Sequence, residues 1–559
     1  MAPRPTSLIW RIHALRVGAT IAFLIVIAEA LVLLWPSHRE RWVQRAERQF
    51  FTKIELPGER GLIYDRNGDP LALNVPGLIL YQTQDSVRLP EALRSTYGIQ
   101  PVKHVPPKGA RLLAYGLPYT VKRLLQSQDS NVNDGLWIEF AWIRKYPCGP
   151  ATSSLLGVVG RDGYGLGGVE YFFNDYLTGR PGYRQVFRSA GGVKFTLPDL
   201  PRVNPQPGHP LYLTIDRTIQ ELAYEVLERR VREVEAQWGY MIVTNPQTGE
   251  ILAMVNVPSP DPNQPGIPRY PTNHAITDPY EPGSTFKVVL YTLAYERHII
   301  SPQDSVETSP GWVQFGRYRI HDVHNLGKVT YREALVHSSN VAASLLSLQV
   351  DAKSLFEMAQ RFGIGCPTGI SLPGEFGGKV RPLSKWTDLY KANFSIGHGV
   401  LVTGIQMAML YGAIANGGLL LQPRLILGGT HTPRVIRRVT RPGVLDTLTS
   451  ILEGVVEEGT GRRAKIPGLR IAGKTGTTEK VDPTTGRYSK TKSITSFIGF
   501  FPVEAPQYLI VVVINEPKKG RFGGDVAAPA FREMALRLLH LDLVRQPGKT
   551  SEELRDETL

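Results

Sequence analysis

The chain has 559 residues, 42% hydrophobic and 20% charged, an ordinary globular balance over a length too great for one compact core, so two soluble domains are expected. Its 64 Lys and Arg against 50 Asp and Glu leave a net charge of +14, which attracts anionic polymers, anionic lipid surfaces and nucleic acid without selecting among them. No basic tract with interleaved aromatics, finger spacing or RNP-like string accompanies the excess, so nucleic acid is not an expected partner. Cys148 and Cys366 stand far apart with no neighbouring cysteine, which excludes a disulfide framework and a zinc or redox pair; two separate buried thiols are expected.

In chain order, the first element is an almost unbroken apolar run over 17–35, interrupted by Glu29. At helical rise it approaches the hydrocarbon thickness of a bilayer, so a transmembrane helix is expected over 15–36. The run outlasts a signal-peptide core and has no small-x-small site before Pro36, which favours an uncleaved anchor. Charge does not orient it, because Arg4, Arg11 and Arg16 precede it while Arg39, Arg41, Arg45 and Arg48 follow. Glu29 is costly within the span unless it snorkels or meets a partner helix, and so points to a protein neighbour in the membrane.

Residues 37–205 are punctuated by Pro and Gly, with short β-like runs at 61–65 and 71–74, and predict an irregular, extended domain. A Pro-rich linker over 202–210 leads to an apolar strand at 211–215 that opens a second domain over 206–541. There the runs 241–244 and 250–257, joined by Asn245-Pro246-Gln247-Thr248-Gly249, predict a hairpin. Helices follow at 339–350, 353–362 and 404–415, and strands return at 469–472, 494–500 and 508–514. Sheet, helical insert and sheet again make an α+β fold, an antiparallel sheet covered by helices with a helical subdomain. The charged segment 542–559 lacks apolar periodicity and is expected to be disordered.

Ser284 stands just before the apolar run 288–291, at the start of a predicted helix, and Lys287 follows at i+3 on the same face. A serine hydroxyl needs a base to become a nucleophile, and a desolvated lysine beside other cations can serve as one. The helix N-terminus adds positive potential where negative charge develops. S-x-x-K alone is weak, with on the order of two chance matches in a chain of this length, and Ser489 with Lys492 is such a match in a polar, basic stretch. Two further segments decide between them. Ser338-Ser339-Asn340 begins a predicted helix, where a serine alone would be read as an N-cap; Lys474-Thr475-Gly476-Thr477 follows the apolar pair 471–472, where a strand-edge turn would be the ordinary reading. The order S-x-x-K, S-x-N, K-T-G is the one in which nucleophile, hydroxyl/amide pair and cationic strand converge on one cleft.

With these motifs the chain resembles the class B penicillin-binding proteins. Similar stretches run from Arg60-Gly61-Leu62-Ile63-Tyr64-Asp65 through Arg144-Lys145-Tyr146-Pro147, Gly168-Val169-Glu170 and Leu213-Thr214-Ile215-Asp216 to Leu372-Pro373-Gly374-Glu375 and Gly523-Gly524-Asp525. The resemblance implies a single transmembrane helix, an extended pedestal over 37–205 and a penicilloyl-serine transpeptidase domain. Residues 1–14 would be cytoplasmic and the catalytic domain extracytoplasmic. It also implies a peptidoglycan D,D-transpeptidase without cofactor or metal, acting on D-Ala-D-Ala stem peptides and acylated by β-lactams. In that scheme Ser284 is the nucleophile, Lys287 its base, Ser338 a proton relay with Lys474 beside it, and Asn340 orients Lys287 and the substrate amide. The N–H groups of Ser284 and Thr477 form the oxyanion hole, while Thr475, Gly476 and Thr477 line the substrate's carboxylate end.

Residues 1–14 leave no room for a glycosyltransferase, so by family analogy the expected partner is a SEDS-family, FtsW-like glycan polymerase with other divisome membrane proteins. The segment 486–497 and Asn515-Glu516-Pro517 look more like the division-specific FtsI type than the elongation type. A D,D-carboxypeptidase, a β-lactamase or a non-enzymatic β-lactam sensor could carry the same triad. Asn245, Ser154 and His398 depart from residues more frequent in the family; His398 is open to both a cleft-lining and a packing role.

Overall fold

The structure, a computed structural model, describes residues 6–34, 40–45, 50–85, 87, 89–105, 109–122, 135–189, 194–264, 271–428, 432–481 and 486–545. The chain divides into two compact units, Met1–Glu59 with Gly179–Pro207, and Arg60–Thr178 with Gly208–Leu559.

The first unit begins with helix α1, Thr6–Leu34. Its stretch Ile9–Val32 is, among the described residues, the one helix long and apolar enough to cross a membrane. The helix starts well before the expected residue 15, because Ile9, Trp10, Ile12 and Leu15 continue the apolar run around Arg11 and Arg16; residues 35 and 36 lie outside the described ones. The unit also holds a small antiparallel sheet in which Phe51–Leu56 pairs with Gly182–Arg188, Phe51 opposite Phe187. Lys194–Phe195 and Arg202–Val203 pair with the same strand.

The second unit opens on a sheet that corrects the expectation of irregular structure. Pro70–Gln82 is a thirteen-residue strand between Arg111–Pro118 and Leu136–Lys145, joined at its start to Ile63–Tyr64 and through that to Leu211–Tyr212. Pro76 and Gly77 disguise it in the sequence. Pro76 lies opposite Trp142 on one side, while the other neighbour begins only at Gly77, so the missing N–H costs no ladder bond there. Leu78, Leu80, Leu93, Leu117 and Val121 form its core. Beside it Glu170, fully buried, takes Arg60 Nε and Arg144 Nε on its two oxygens, each at 2.7 Å. Arg60 also donates to Asn174 Oδ1 at 3.1 Å, so the burial of three charges is offset by pairing and hydrogen bonds.

The main sheet has five antiparallel strands, β1 Trp238–Thr244, β2 Ile251–Val257, β3 Ala472–Val481, β4 Tyr488–Phe501 and β5 Tyr508–Asn515, in the order β2-β1-β5-β4-β3. The expected hairpin joins β1 and β2: Asn245 N–H donates to Glu250 O at 2.9 Å, and Gly249 takes the left-handed φ of +70° that closes the turn. The strands are apolar on both faces because both are covered. Leu509, Val511 and Val513 of β5 enter one core with α3 (Lys287–Glu296), α5 (Gly404–Ala415) and α6 (Pro442–Glu457), while Ile510, Val512 and Ile514 enter the other with α2 (Arg217–Glu233) and α7 (Ala528–Arg545). Each such side chain contributes about 1.5–3 kcal/mol of burial. The predicted helix at 339–350 is α4, Asn340–Leu348, capped by Ser339, and that at 353–362 is Ala352–Arg361.

Two boundaries differ from expectation. The strand expected at 469–472 begins where that range ends and carries the whole K-T-G segment at the sheet edge. The tail expected to be disordered from 542 starts inside α7, because its charges are paired: Tyr508 OH donates to Asp542 at 2.7 Å, and Arg545 binds Asp216, the N-cap of α2. Residues 546–559 lie outside the described ones. Both cysteines are free thiols; Cys148 is buried as expected, whereas Cys366 is exposed, against the expectation of two buried thiols.

Candidate active site

Gly283–Phe286 forms a single 3₁₀ turn that runs directly into α3, so Ser284 sits at the head of that helix and Lys287 is its first α-helical residue. Three contacts hold the turn. Tyr411 OH of α5 donates to Thr285 O at 2.8 Å, Gly283 N–H donates to Gly397 O at 3.2 Å, and the rings of Phe286 and Phe394 meet edge to face at 5.1 Å. The edge strand β3 crosses this turn so closely that side chains are excluded at two places. A Cβ on Gly476 would lie 2.9 Å from Pro282 O, and one on Gly283, whose φ is +56°, would lie 2.4 Å from Thr478 Oγ1.

Lys287 and Lys474 are both fully buried, and one hydroxyl joins them. Lys474 Nζ donates to Ser338 Oγ at 2.9 Å, and Lys287 Nζ reaches the same oxygen at 3.3 Å while donating to Ser338 O at 2.6 Å and Asn340 Oδ1 at 2.8 Å. Ser338 can present its hydroxyl and its carbonyl together because its φ is +64°, a left-handed conformation that costs a non-glycine residue of order 1 kcal/mol and recurs at functional sites. The capping role that the sequence left open for this segment falls to Ser339, whose Oγ accepts Ala342 N–H at 3.0 Å. Burial lowers the Lys287 ammonium to about 7, against an opposing pull from Asp322. Burial and the nearby Lys287 charge drive Lys474 well below the usual lysine range.

Ser284 is half-buried rather than sealed, and among the described residues its hydroxyl makes no hydrogen bond. Thr475 and Thr477 flank Gly476 with their hydroxyls engaged on one side only: Thr475 Oγ1 meets Thr460 Oγ1 at 2.7 Å, and Thr477 Oγ1 accepts Gly523 N–H at 2.9 Å. His398 belongs to the segment packed on Gly283; its Nδ1 is 3.3 Å from Glu281, which also accepts Tyr488 OH at 3.0 Å. The competing pair, Ser489 and Lys492, lies in β4, where the Ser489 hydroxyl accepts the Lys492 N–H at 3.2 Å and Lys492 Nζ approaches Glu516.

Sequence reasoning missed Asp322. Its carboxylate takes Ser339 Oγ at 2.6 Å, Val341 N–H at 2.9 Å and the Asn340 N–H.

A serine at a helix head, with two buried lysines converging on a second serine across a sheet edge, is the constellation of serine acyl transfer. Comparison with known proteins agrees. Residues 239–535 match the family model described as penicillin binding protein transpeptidase domain. The chain is 32% identical over 546 residues to the peptidoglycan D,D-transpeptidase FtsI of Escherichia coli K12, covering 93% of this chain and 90% of that one. It is 31% identical over 527 residues to the probable peptidoglycan D,D-transpeptidase PbpC of Pseudomonas aeruginosa, covering 91% of each. The crystal structure of penicillin binding protein 3 from Mycobacterium tuberculosis complexed with aztreonam superposes with a TM-score of 0.69 at 27% identity, covering 88% of this chain and 98% of that one. The chain belongs to the class B penicillin-binding proteins of the FtsI type, the peptidoglycan D,D-transpeptidases.

Proposed function

We propose that Ser284 is the nucleophile of this transpeptidase and that the cross-links it makes are those of the division septum. The observation that carries the assignment is the burial of Lys287 with its ammonium lowered to about 7, one helical turn after Ser284 and sharing Ser338 with Lys474. Ser284 Oγ attacks the carbonyl carbon of the penultimate D-Ala of a stem peptide, and neutral Lys287 takes the hydroxyl proton. The N–H groups of Ser284 and Thr477 receive the oxyanion, each donor contributing about 3 kcal/mol. The tetrahedral intermediate collapses with cleavage of the C–N bond. Ser338 passes a proton to the departing D-Ala amine and is resupplied through the two lysines, leaving an ester on Ser284. An amino group of a second stem peptide then attacks that ester and restores the serine. Asn340 orients Lys287 and the substrate amide, and the hydroxyls of Thr475 and Thr477 donate to the terminal carboxylate beside Gly476. β-Lactams enter the first half of this path and stay as the ester.

Helix α1 and the segment 37–205 are, in this proposal, the contact surfaces for a SEDS-family glycan polymerase and other divisome membrane proteins, with the catalytic unit extracytoplasmic. Family analogy supports the partner.

The test uses the full chain in detergent with glycan strands bearing pentapeptide stems. D-Ala release together with peptide dimers is expected, and Ser284→Ala should abolish both. Dimers formed by Ser284→Ala would overturn the nucleophile. D-Ala release without dimers would indicate a carboxypeptidase, and rapid turnover of penicillin a β-lactamase.

A further inference from the structure

Asp322 belongs to none of the three motifs, yet its carboxylate accepts hydrogen bonds from Ser339, Asn340 and Val341 at one of them. It follows the β-hairpin Trp312–Phe315 and Tyr318–His321, in which Trp312 pairs with His321 and the Arg319 guanidinium covers the Trp312 ring at 4.1 Å. Asp322 N–H donates back to Gly311 O at 2.9 Å, so the carboxylate projects from a tethered backbone. Oδ1 accepts the N–H groups of Asn340 and Val341, the first turn of α4, and Oδ2 accepts the Ser339 hydroxyl at 2.6 Å. His321 O, one residue earlier, accepts Asn340 Nδ2 at 2.9 Å, which turns Asn340 Oδ1 toward Lys287.

Three consecutive residues, 339 to 341, are thereby clamped by His321, the last residue of the hairpin, and Asp322 just after it. The residue just before the clamp is Ser338, whose left-handed backbone would otherwise relax. We propose that Asp322 is a positioning residue for the transpeptidase reaction: it locks the S-x-N segment so that Ser338 and Asn340 face Lys287, and its negative charge acts on that lysine. The inference rests on the assignment of Ser284 and Lys287 above. Among the described residues the Asp322 carboxylate is the charge that acts on Lys287, and the Lys287 ammonium in turn acts on Lys474 of β3; Ser338 and Asn340 are neutral, and Tyr291 of α3 also lies in the field of Asp322.

Asp322→Asn keeps the shape and removes the charge; Asp322→Ala removes the clamp. The rate of acylation by a fluorescent penicillin is measured from pH 5 to 9 on the full chain, beside the unsubstituted protein and with melting temperatures for each. Asp322→Ala should acylate about 10²-fold more slowly, the scale of loss for a displaced catalytic group. In Asp322→Asn the carboxylate no longer favours the charged lysine, so the rising limb of the pH profile should move to lower pH. A residue that only stabilised the scaffold would leave that limb in place. Acylation within threefold of the unsubstituted protein in both variants, an unmoved limb, or failure of both to fold would each overturn the proposal. Failure of the unsubstituted protein itself to acylate would instead remove the assignment of Ser284.

Discussion

Replacing Lys287 by methionine keeps a long stem in a fully buried site and deletes the amine. The size of the effect follows from the environment of that amine. An exposed lysine with a pKa near 10.4 is neutral in roughly one copy in 2,500 at pH 7, whereas burial lowers Lys287 to about 7, so that about half is neutral there. Burial thus raises the population of base by about 10³-fold at neutral pH. The opposing influence of Asp322 is the smaller cause. The neutral form gains as pH rises. Acylation by a chromogenic cephalosporin, followed by stopped flow, should therefore fall about tenfold per pH unit below about 6 and level off above about 8. Lys287→Met should lose about 10²–10⁴-fold, the usual contribution of a general base, and flatten the profile. An unsubstituted profile flat from pH 5 to 9, one rising only above pH 9, or a folded Lys287→Met protein within tenfold of the original would refute a deprotonating role for this lysine.

Gly476→Ala places a methyl 2.4 Å from Ser496 Oγ, 2.9 Å from Pro282 O and 3.0 Å from Thr285 Cγ2; Thr285 lies in the nucleophile turn and Pro282 immediately precedes it. Overpacking should cost about 1–3 kcal/mol and push β3 from Ser284, seen as a lower melting temperature with a disproportionate fall in acylation; a protein melting and acylating like the original would contradict the close crossing. Glu170→Gln leaves Arg60 and Arg144, with side chains 8% and 6% exposed, without their counter-charge. Breaking such a buried pair costs about 3–5 kcal/mol, measurable in urea unfolding, while a change under 1 kcal/mol would show the network to be dispensable.

The site was legible where chemistry and secondary structure repeat a short period. Ser284 and Lys287 share a helix face, and the apolar runs around K-T-G and S-x-N mark a strand and a helix, so each motif could be placed by its neighbours. The resemblance assigned the relay to Ser338, but which serine caps the helix was not legible from the residues themselves, because it depends on the left-handed backbone of Ser338. Asp322 left no trace either: it precedes Ser339 by a turn and a helix, sits outside any periodic run, and acquires partners only when the hairpin folds back. The same limit applies to the strand Pro70–Gln82, whose proline lies where one neighbour is missing, and to the last turn of α7, where charges that looked solvated are paired across the fold.

Peptide mapping by mass spectrometry after incubation of the full chain with penicillin tests the assignment of the nucleophile most directly. One covalent adduct is expected, on the peptide carrying Ser284, persisting for many minutes and absent from Ser284→Ala. Label on Ser489, label on Ser338, or a protein that remains unlabelled while folded would contradict it.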